Sequence, residues 1–361
     1  MLVTSVEHHD VFWRKGSFAG WPANYGMWSW EREALVIFAV GVLGDQGRLH
    51  ARDKHSDFVP IQSRSLDGGR TWQSEPFRGV VPGGRSLSAN EHLDPSLQSG
   101  LRINLLPSSS QSSRIDFLDP EVIVMAARTG IDKSAQSWFY VSRDRGRRWS
   151  GPYAFTGLHH PGVAARTDTI AIDRNHALFM LSRSKEDGRE GRCMCVETTD
   201  GGLSFSWKSD LPFDGDGYAI MPTSILLPDR TVLTVVRRGR GVEEGGWLEA
   251  FRSMDHGKAW EPLGKAVDST GPGGNPGVLV EIGSGGYALV YGYRGSPAGI
   301  RMKRTTNGTD WSDESIIRAD GLLPDLGYPR AVSRQDGGIL TAYYMNRGEE
   351  RFISSSTIFF A

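Results

Sequence analysis

A short segment recurs along the chain and constrains its fold more than any other feature. Ser65 to Trp72 reads S-L-D-G-G-R-T-W, and close copies run from Ser142 to Trp149 and from Ser253 to Trp260, with a looser copy from Thr198 to Phe205. A fifth copy, from Arg304 to Trp311, keeps Gly308 and the final Trp but has no Asp in register. The closing aromatic residues are spaced by 77, 56, 55 and 51 residues. A repeat of this length is typical of solenoids and propellers.

The chemistry of the segment predicts a tight turn. Its Asp can accept hydrogen bonds from nearby backbone N–H groups, its Gly can adopt a positive φ, and its aromatic residue can pack between strands. Between the copies, β-branched and aromatic runs are separated by turn residues, which is typical of β-hairpins. Thr167 to Ile172 followed by Ala177 to Arg183 is one such pair, and Arg114 to Phe117 followed by Val122 to Arg128 is another.

Counting these hairpin units predicts an all-β, six-bladed β-propeller formed by residues 1–361 as a single domain. A seven-bladed ring and an open sandwich are the alternatives. The last strand, Phe352 to Phe360, is predicted to pair with N-terminal residues, which closes the ring and removes open edges. An insertion around residues 80–113, rich in Ser, Gly, Pro and Asn, forms either a rim or lid over a binding face or a passive surface loop.

Composition narrows the class of partner. The formal net charge of −1 argues against nucleic acid or an anionic membrane as the main partner. Cys193 and Cys195 share a face of a predicted strand and are expected to be packing residues, with a metal or redox role as the alternative. The polar N-terminus contains neither a signal peptide nor a membrane span, so we expect a soluble protein, cytoplasmic if the chain is complete. No cofactor and no metal is predicted.

The hairpin register predicts that polar strand ends meet on one face, because the end of one antiparallel strand lies beside the start of the next. The second strands end on Arg128, Arg183, Arg237 and Arg294, and the first strands begin near Trp21, Arg166, Met221, Asn275 and Tyr328. Such arginines either bind an anionic group or pair with Asp or Glu of neighbouring units as a structural latch. For Arg237 and Arg294, beside Tyr328, we favour ligand binding.

The recurring segments resemble the Asp boxes of the sialidase (neuraminidase) superfamily, and the resemblance extends over nearly the whole chain. It implies a sialidase-like propeller with the boxes at its periphery. Sialidases bind the substrate carboxylate with three arginines and use a Tyr nucleophile partnered by a Glu, with an Asp acid/base on a first-blade loop. Arg237 matches the second arginine, Arg294 resembles the third, and Tyr328 is similar to the nucleophile. Asp53 resembles the acid/base, with Asp57 as the second choice.

Two positions depart from the family pattern. Where the first arginine is expected the sequence reads Gly20-Trp21-Pro22, and Arg14 or Arg128 is the available substitute. Where the Glu is expected it reads Ile220-Met221-Pro222. Because the ordinary pKa of a Tyr hydroxyl is about 10, a Tyr without a base is a poor nucleophile at neutral pH.

Further residues have two interpretations each. Asp168 is either a second carboxylate for glycoside hydrolysis or the partner that neutralises Arg166. His50 and His55 flank Asp53 and are either general acids or surface histidines. Trp21 and Trp28 either stack on a sugar ring or pack in the core.

These residues predict an exo-acting glycoside hydrolase that removes a terminal acidic sugar, sialic acid or a relative, from glycans. The predicted catalytic residues are Asp53, Tyr328 and Asp168, and the predicted substrate-binding residues are Arg237, Arg294, Arg166, Arg128, Trp21, Asn275 and Asp57. The alternative is a non-catalytic carbohydrate-binding propeller, or a relative with changed chemistry such as another glycosidase or a polysaccharide lyase. The missing Glu and first arginine favour the alternative, whereas a phenol and a carboxylate on one face favour the hydrolase.

Overall fold

The chain is built almost entirely from β-strands. The computed structural model describes residues 2–44, 49–82, 86–98, 110–241 and 244–361. In chain order the strands are β1 (Val3–Phe12), β2 (Ser17–Gly20), β3 (Met27–Trp30), β4 (Glu33–Val42), β5 (Val59–Ser65), β6 (Gln73–Pro76), β7 (Ile123–Thr129), β8 (Gln136–Ser142), β9 (Ser150–Ala154), β10 (Val163–Ala164), β11 (Thr169–Ala171), β12 (Ala177–Ser184), β13 (Glu190–Thr198), β14 (Ser206–Asp210), β15 (Tyr218–Leu226), β16 (Val232–Gly239), β17 (Gly245–Ser253), β18 (Glu261–Pro272), β19 (Gly277–Ile282), β20 (Gly286–Tyr293), β21 (Ala298–Thr305), β22 (Ser315–Gly321), β23 (Gly327–Ser333), β24 (Ile339–Arg347) and β25 (Glu350–Phe360). A short helix α1 (Pro95–Gln98) and 3₁₀ turns at Pro22–Asn24, Asn90–His92 and Gly283–Gly285 complete the regular structure.

These strands form antiparallel blades and one larger sheet. The blades are β7-β8-β9, then β10-β12-β13-β14 with β11 also on β12, then β15-β16-β17-β18, and β19-β20-β21-β22. The larger sheet has nine strands in the order β23-β24-β25-β2-β4-β5-β6, with β1 on β25 and β3 on β4. The fold is therefore all-β and propeller-like.

The prediction of six separate blades is wrong. Among the described residues four sheets form separate blades, whereas the first and last predicted units belong to the nine-stranded sheet. The link is β2, which pairs with β4 along its length and with β25 through Phe18 and Arg351. Counting hairpins along the sequence does not reveal that one short strand bonds on both sides.

The chain ends close the structure as predicted. The C-terminal strand β25 pairs antiparallel with the N-terminal strand β1, from Val3 opposite Phe360 to Phe12 opposite Ile353. This pairing covers an edge of β25 that would otherwise present unpaired N–H and C=O groups.

The hydrophobic core lies between neighbouring sheets. On β12, Phe179 and Leu181 pack toward β7 to β9, whereas the intervening Leu178 and Met180 pack toward β15 to β17. Successive side chains of a strand point to opposite faces, so one apolar strand contributes to two interfaces. A continuous apolar run is therefore what the sequence of such a strand requires.

The recurring segment forms the hairpin turn that its chemistry predicted. Asp67 accepts hydrogen bonds from the backbone N–H groups of Arg70 (3.1 Å) and Thr71 (2.9 Å), and Trp72 donates from its indole N–H to the carbonyl of Gly69 (3.0 Å). In the fifth copy Asn307, one position after the place of the Asp, takes the acceptor role and accepts from the backbone N–H groups of Thr309 and Asp310 at 2.9 Å. An amide oxygen thus preserves the turn where the carboxylate is absent.

The glycine of each turn lies against a different unit of the chain. A Cβ atom added at Gly69 would lie 2.4 Å from Leu340 of β24, and one at Gly146 would lie 2.3 Å from Leu35 of β4. At Gly308 the distance to Leu233 of β16 would be 2.4 Å. The turns therefore also fasten adjacent units together.

One predicted hairpin does not form. Arg114 to Phe117 is not a strand, because the N–H of Ile115 donates to the carbonyl of Gly201 and the N–H of Phe117 donates to that of Arg174. These carbonyl groups belong to turns of another unit. They accept the backbone hydrogen bonds that the segment was predicted to make with β7. Of the insertion around 80–113, residues 83–85 and 99–109 lie outside the described residues.

Cys193 and Cys195 are both buried and unpaired on β13, as expected of packing residues. None of the helices in the described ranges has the length and hydropathy needed to cross a bilayer.

The turn contact predicts a specific loss of stability. Gly257 has φ +83° and a Cβ there would lie 2.5 Å from Cys195 Sγ, whereas Gly264 has φ +90° with open space around it. Gly257→Ala is expected to lower the free energy of unfolding by about 2–4 kcal/mol, from backbone strain plus overpacking. Gly264→Ala carries only the strain and should cost about 1–2 kcal/mol. Denaturant unfolding compares the two, and equal losses would contradict a packing role for Gly257.

Candidate functional site

Tyr328 lies at the centre of the candidate site and has a constrained backbone. It is buried at the start of β23, has φ 52°, and precedes Pro329. Its N–H donates to Asn275 Oδ1 (2.9 Å), while Asn275 Nδ2 donates to the carbonyl of Leu326 (2.8 Å). A left-handed conformation is costly for a residue other than Gly, and here it recurs at Trp21 (φ 61°) and Met221 (φ 53°), at the corresponding places in other units. The predicted substrate-binding residue Asn275 thus holds the Tyr328 backbone.

Two predicted arginines flank the Tyr328 ring. Arg237, on β16, donates to the Tyr328 hydroxyl (3.1 Å) and to the carbonyl of Gly273 (2.6 Å). Arg294, just after β20, donates to the carbonyl of Gly274 (2.9 Å) and to the Tyr344 hydroxyl (3.3 Å). Each guanidinium carbon lies 5.7 Å from the centre of the Tyr328 ring.

Neither Arg237 nor Arg294 has an Asp or Glu within 4.0 Å among the described residues, although both are buried. The Nε atom of each is buried without a hydrogen-bond partner. Buried charges are normally paired, because desolvation of an isolated charge is costly. These two arginines therefore place unbalanced positive charge beside Tyr328, and we name the cluster of Arg237, Arg294 and Tyr328 the cationic pocket.

The other strand-end arginines are ion-paired. Arg128 forms a two-pronged contact with Glu91 (2.7 and 3.1 Å), Arg166 contacts Glu190 (2.6 Å), and Arg183 contacts Asp210 (2.6 Å). Arg128 and Arg166 are predicted substrate-binding residues, but their charges are already balanced by these carboxylates. Arg166 pairs within its own sheet and Arg128 pairs with the segment before β7, so neither contact is the predicted latch between neighbouring units.

The cationic pocket changes the acidity of Tyr328. Burial alone would raise the pKa of this hydroxyl, but the positive charges of Arg237 and Arg294 outweigh burial and hold the pKa below its ordinary value. Met221, at the position where the sequence resemblance led us to expect a Glu, accepts from Arg237 through Sδ (3.5 Å) and provides no base. Arg237 and Arg294 thus favour ionisation of Tyr328, although the Glu expected beside it is replaced by Met221.

The buried carboxylate of Asp325 is connected to the cationic pocket through the Tyr344 hydroxyl, which also contacts Arg294. Asp325 accepts hydrogen bonds from the Tyr344 hydroxyl (2.9 Å), from Arg351 Nε (2.7 Å) and from the backbone N–H groups of His50 (2.8 Å) and Ala51 (2.9 Å). Its contacts join the loop after β4 to β24 and β25. Neither Asp325 nor Tyr344 was predicted, although Asp325 precedes Tyr328 by only three residues.

Two histidines lie beside the pocket. The His50 ring centre is 5.7 Å from that of Tyr328 and 5.0 Å from that of His92. His92 stacks on Trp21, with ring centres 3.9 Å apart. Trp21 is fully buried, so it supports the histidines and offers no free face to a sugar. His92 was missed because it belongs to the insertion, where no periodicity marks it.

The loop carboxylates lie apart from these contacts. Asp53 accepts from the Ser56 hydroxyl (2.5 Å) and from the N–H of His55 (2.9 Å), and these bonds lower its pKa. Asp57 is exposed on the same loop. None of the hydrogen bonds of Asp53 reaches the cationic pocket.

Asp168 lies in a separate cavity of about 300 Å³, which is also lined by Trp28, Ser224 and Arg330. It accepts from the N–H (3.0 Å) and the hydroxyl (2.8 Å) of Ser224. Burial raises the pKa of Asp168 to about 7, although the Ser224 bonds and the Arg330 charge oppose the rise. Asp168 does not neutralise Arg166, which pairs with Glu190. Within the described ranges no cluster of His, Cys, Asp and Glu has the geometry to hold a metal ion.

No protein-family model and no curated protein matches the sequence. Solved structures match it over nearly its whole length. A protein of unknown function from Dyadobacter fermentans is 19% identical with a TM-score of 0.71, and the alignment covers 99% of this chain and 100% of that one.

Glycoside hydrolases are also among the matches. Trypanosoma rangeli sialidase, in complex with 2,3-difluorosialic acid, is 11% identical with a TM-score of 0.62, and this chain spans 58% of its length. An α-L-arabinanase from Penicillium chrysogenum, complexed with arabinobiose, is 16% identical with a TM-score of 0.55 over 98% of both chains. These proteins share the fold of this chain. At such identities the likeness extends to the fold alone.

The buried carboxyl of Asp168 predicts a pH-dependent stability difference. Its folded pKa of about 7 exceeds the ordinary value of 3.8, so the native state binds the extra proton between these pH values and loses that stabilisation as the pH rises through 7. The Asp168→Asn variant has no carboxyl group here, so its stability does not depend on this proton. Its free energy of unfolding relative to wild type should therefore rise by about 1 kcal/mol or more from pH 5 to pH 8.

Thermal unfolding at a series of pH values measures this difference. Asp53→Asn is the matched control, because the pKa of Asp53 is lowered and its stabilisation is already complete at pH 5. A difference for Asp168→Asn that does not change with pH would show that Asp168 ionises normally.

Proposed function

We propose that the chain is an exo-acting glycoside hydrolase that removes a terminal acidic sugar, sialic acid or a related one, from glycans. The observation that carries this proposal is the cationic pocket, in which Arg237 and Arg294 flank Tyr328 without a carboxylate partner among the described residues. A substrate carboxylate supplies the missing anion. This chain shares its fold with a sialidase and an arabinanase, and that likeness is consistent with the proposed function.

Charge and geometry favour a carboxylate as the bound group. A guanidinium presents paired donors that match the two oxygens of a carboxylate, and such charge-assisted bonds are stronger than neutral ones. Because neither arginine has a carboxylate partner among the described residues, a ligand carboxylate would be the first anion that they contact there.

Tyr328 acts as the nucleophile, or stabilises the positive charge that develops at the anomeric carbon. The two arginines lower the pKa of its hydroxyl and so increase the phenolate fraction at neutral pH. Asp53 is the proposed acid/base, because its loop also carries His50 into the site. Its carboxylate has to exchange the Ser56 and His55 contacts for the glycosidic oxygen.

A polysaccharide lyase is the second candidate, favoured by one observation. No carboxylate contacts the Tyr328 hydroxyl among the described residues, whereas two cations do so or lie close by. In this reaction the arginines neutralise a uronate carboxylate, and the Tyr328 phenolate removes the proton on the adjacent carbon. The bond to the leaving oxygen breaks, a C=C bond forms, and the leaving oxygen takes up a proton.

A glycoside panel distinguishes these functions. Wild-type protein is expected to release the aryl group from an aryl sialoside or an aryl uronide, and Tyr328→Phe should reduce turnover by about 100-fold or more. Hydrolysis releases the aryl group and yields a saturated sugar. Elimination cannot release a group bound at the anomeric carbon, so it is measured on an oligouronate substituted at O4, from which it yields an unsaturated uronate that absorbs in the ultraviolet. Binding of acidic glycans without cleavage of any substrate would leave only the carbohydrate-binding alternative.

The proposed role of the cationic pocket predicts that removal of Arg294, but not of the ion-paired Arg183, weakens binding of an acidic sugar. Arg294→Ala should weaken binding of N-acetylneuraminic acid by about 2 kcal/mol or more, because a charge-assisted contact is removed. Arg183→Ala is the matched control, since Arg183 is also a strand-end arginine but is paired with Asp210. Isothermal titration calorimetry measures both. Equal affinities for Arg294→Ala and wild type would show that Arg294 is only structural.

A further inference from the structure

The imidazole of His50 is held in a defined protonation state by its neighbours. Its Nδ1 accepts a hydrogen bond from the indole N–H of Trp21 at 2.9 Å. An indole nitrogen can only donate, so Nδ1 must carry a lone pair. The neutral ring then has its proton on Nε2.

Other groups near Nδ1 do not compete for this position. The Tyr344 hydroxyl lies 3.3 Å away, but its proton is directed to Asp325 Oδ1 at 2.9 Å. Asp325 Oδ1 itself lies 3.5 Å from Nδ1, at the limit of a hydrogen bond. Trp21 therefore provides the donor that selects the tautomer.

Burial also favours a neutral ring. The titratable and charged groups that face His50 are Asp325, Arg294, Arg52, His92, Tyr328 and Tyr344. Burial lowers the pKa of His50 to about 4, and Arg294 and Arg52 add to this effect while Asp325 opposes it. His50 is thus uncharged at neutral pH.

The other ring nitrogen of His50, Nε2, has no protein partner among the described residues. The His50 ring meets the Tyr328 ring edge-on at 5.7 Å, and the side chain is 16% exposed. Since Nδ1 faces the buried Trp21, the Nε2–H group on the other side of the ring is available to a ligand.

We propose that His50 donates a hydrogen bond from Nε2–H to an oxygen of the acidic sugar in the cationic pocket, and that Trp21 is the positioning residue that fixes this tautomer. The inference rests on the proposed function, because it takes the acidic sugar as the ligand. It assigns His50 to binding and orientation. A neutral imidazole with Nδ1 blocked is a poor proton donor, so His50 is distinct from the acid/base.

The tautomer is tested first, by nuclear magnetic resonance of protein labelled with ¹⁵N-histidine, in which His50→Gln identifies the His50 signals among those of the 9 histidines. The expected state at pH 7 is the neutral Nε2–H tautomer. Trp21→Phe keeps an aromatic ring but removes the donor, so it should populate the Nδ1–H tautomer and raise the pKa of His50. An Nδ1–H tautomer or an imidazolium in the wild type at pH 7 overturns the proposal.

Ligand contact is tested by titration of wild type and variants with N-acetylneuraminic acid and D-glucuronic acid. His50→Ala should weaken binding of the preferred sugar about fivefold to tenfold, and His50→Gln, which retains an N–H donor, should recover part of it. Thermal unfolding establishes that each variant is folded.

The outcomes separate the two proposals. If Arg294→Ala weakens binding but His50→Ala does not, the inference fails and the proposed function stands. If neither sugar binds the wild type, the proposed function fails and the inference falls with it. A pH dependence of binding that follows protonation of His50 and disappears in His50→Gln shows that the imidazolium is the active form, which also overturns the inference.

Discussion

The contact between each turn glycine and a side chain of another unit determines how the units of this fold pack. Gly69 on Leu340, Gly146 on Leu35 and Gly308 on Leu233 leave no room for a Cβ atom, so each turn backbone lies directly on the neighbouring strand. Because the contact recurs, successive units have similar orientations. Their opposite strand ends then converge, which brings Arg237, Arg294 and Tyr328 together from β16, β20 and β23.

Charge balance distinguishes Arg237 and Arg294 from other arginines near the strand ends. Arg128 and Arg183, at the ends of second strands, and Arg166, near the start of a first strand, are each paired with a carboxylate. A buried ion pair of this kind is strongly destabilised when one partner is removed. Arg237 and Arg294 have only hydroxyl, carbonyl and thioether acceptors, which compensate a buried cation incompletely. Arg237 and Arg294 therefore leave positive charge unbalanced beside Tyr328, which an anionic ligand would offset.

The sequence predicted those parts of the site that follow the repeat. Arg237 and Arg294 lie at the ends of second strands and Tyr328 lies at the start of a first strand, so the hairpin register predicts that they meet on one face. Asp325, Tyr344 and His92 carry no such signal, because their partners are distant in the chain and His92 lies in the insertion. The strand at Arg114 to Phe117 and the six separate blades were wrong for a related reason. Both depended on which backbone groups pair. The short strand β2 joins the first and last units into one sheet, and turns of another unit accept the hydrogen bonds of Arg114 to Phe117.

The pocket also couples ligand charge to the acidity of Tyr328. The arginines that lower the pKa of Tyr328 are the same groups that are proposed to bind the carboxylate. A bound carboxylate offsets their charge, so it raises the pKa of Tyr328 toward its ordinary value. The fraction of Tyr328 that stays ionised is then a stronger nucleophile. By reciprocity, ionisation of Tyr328 weakens carboxylate binding to the same extent. The substrate anion and the phenolate thus compete for the two arginines, and a productive complex requires that these cations support both charges at once.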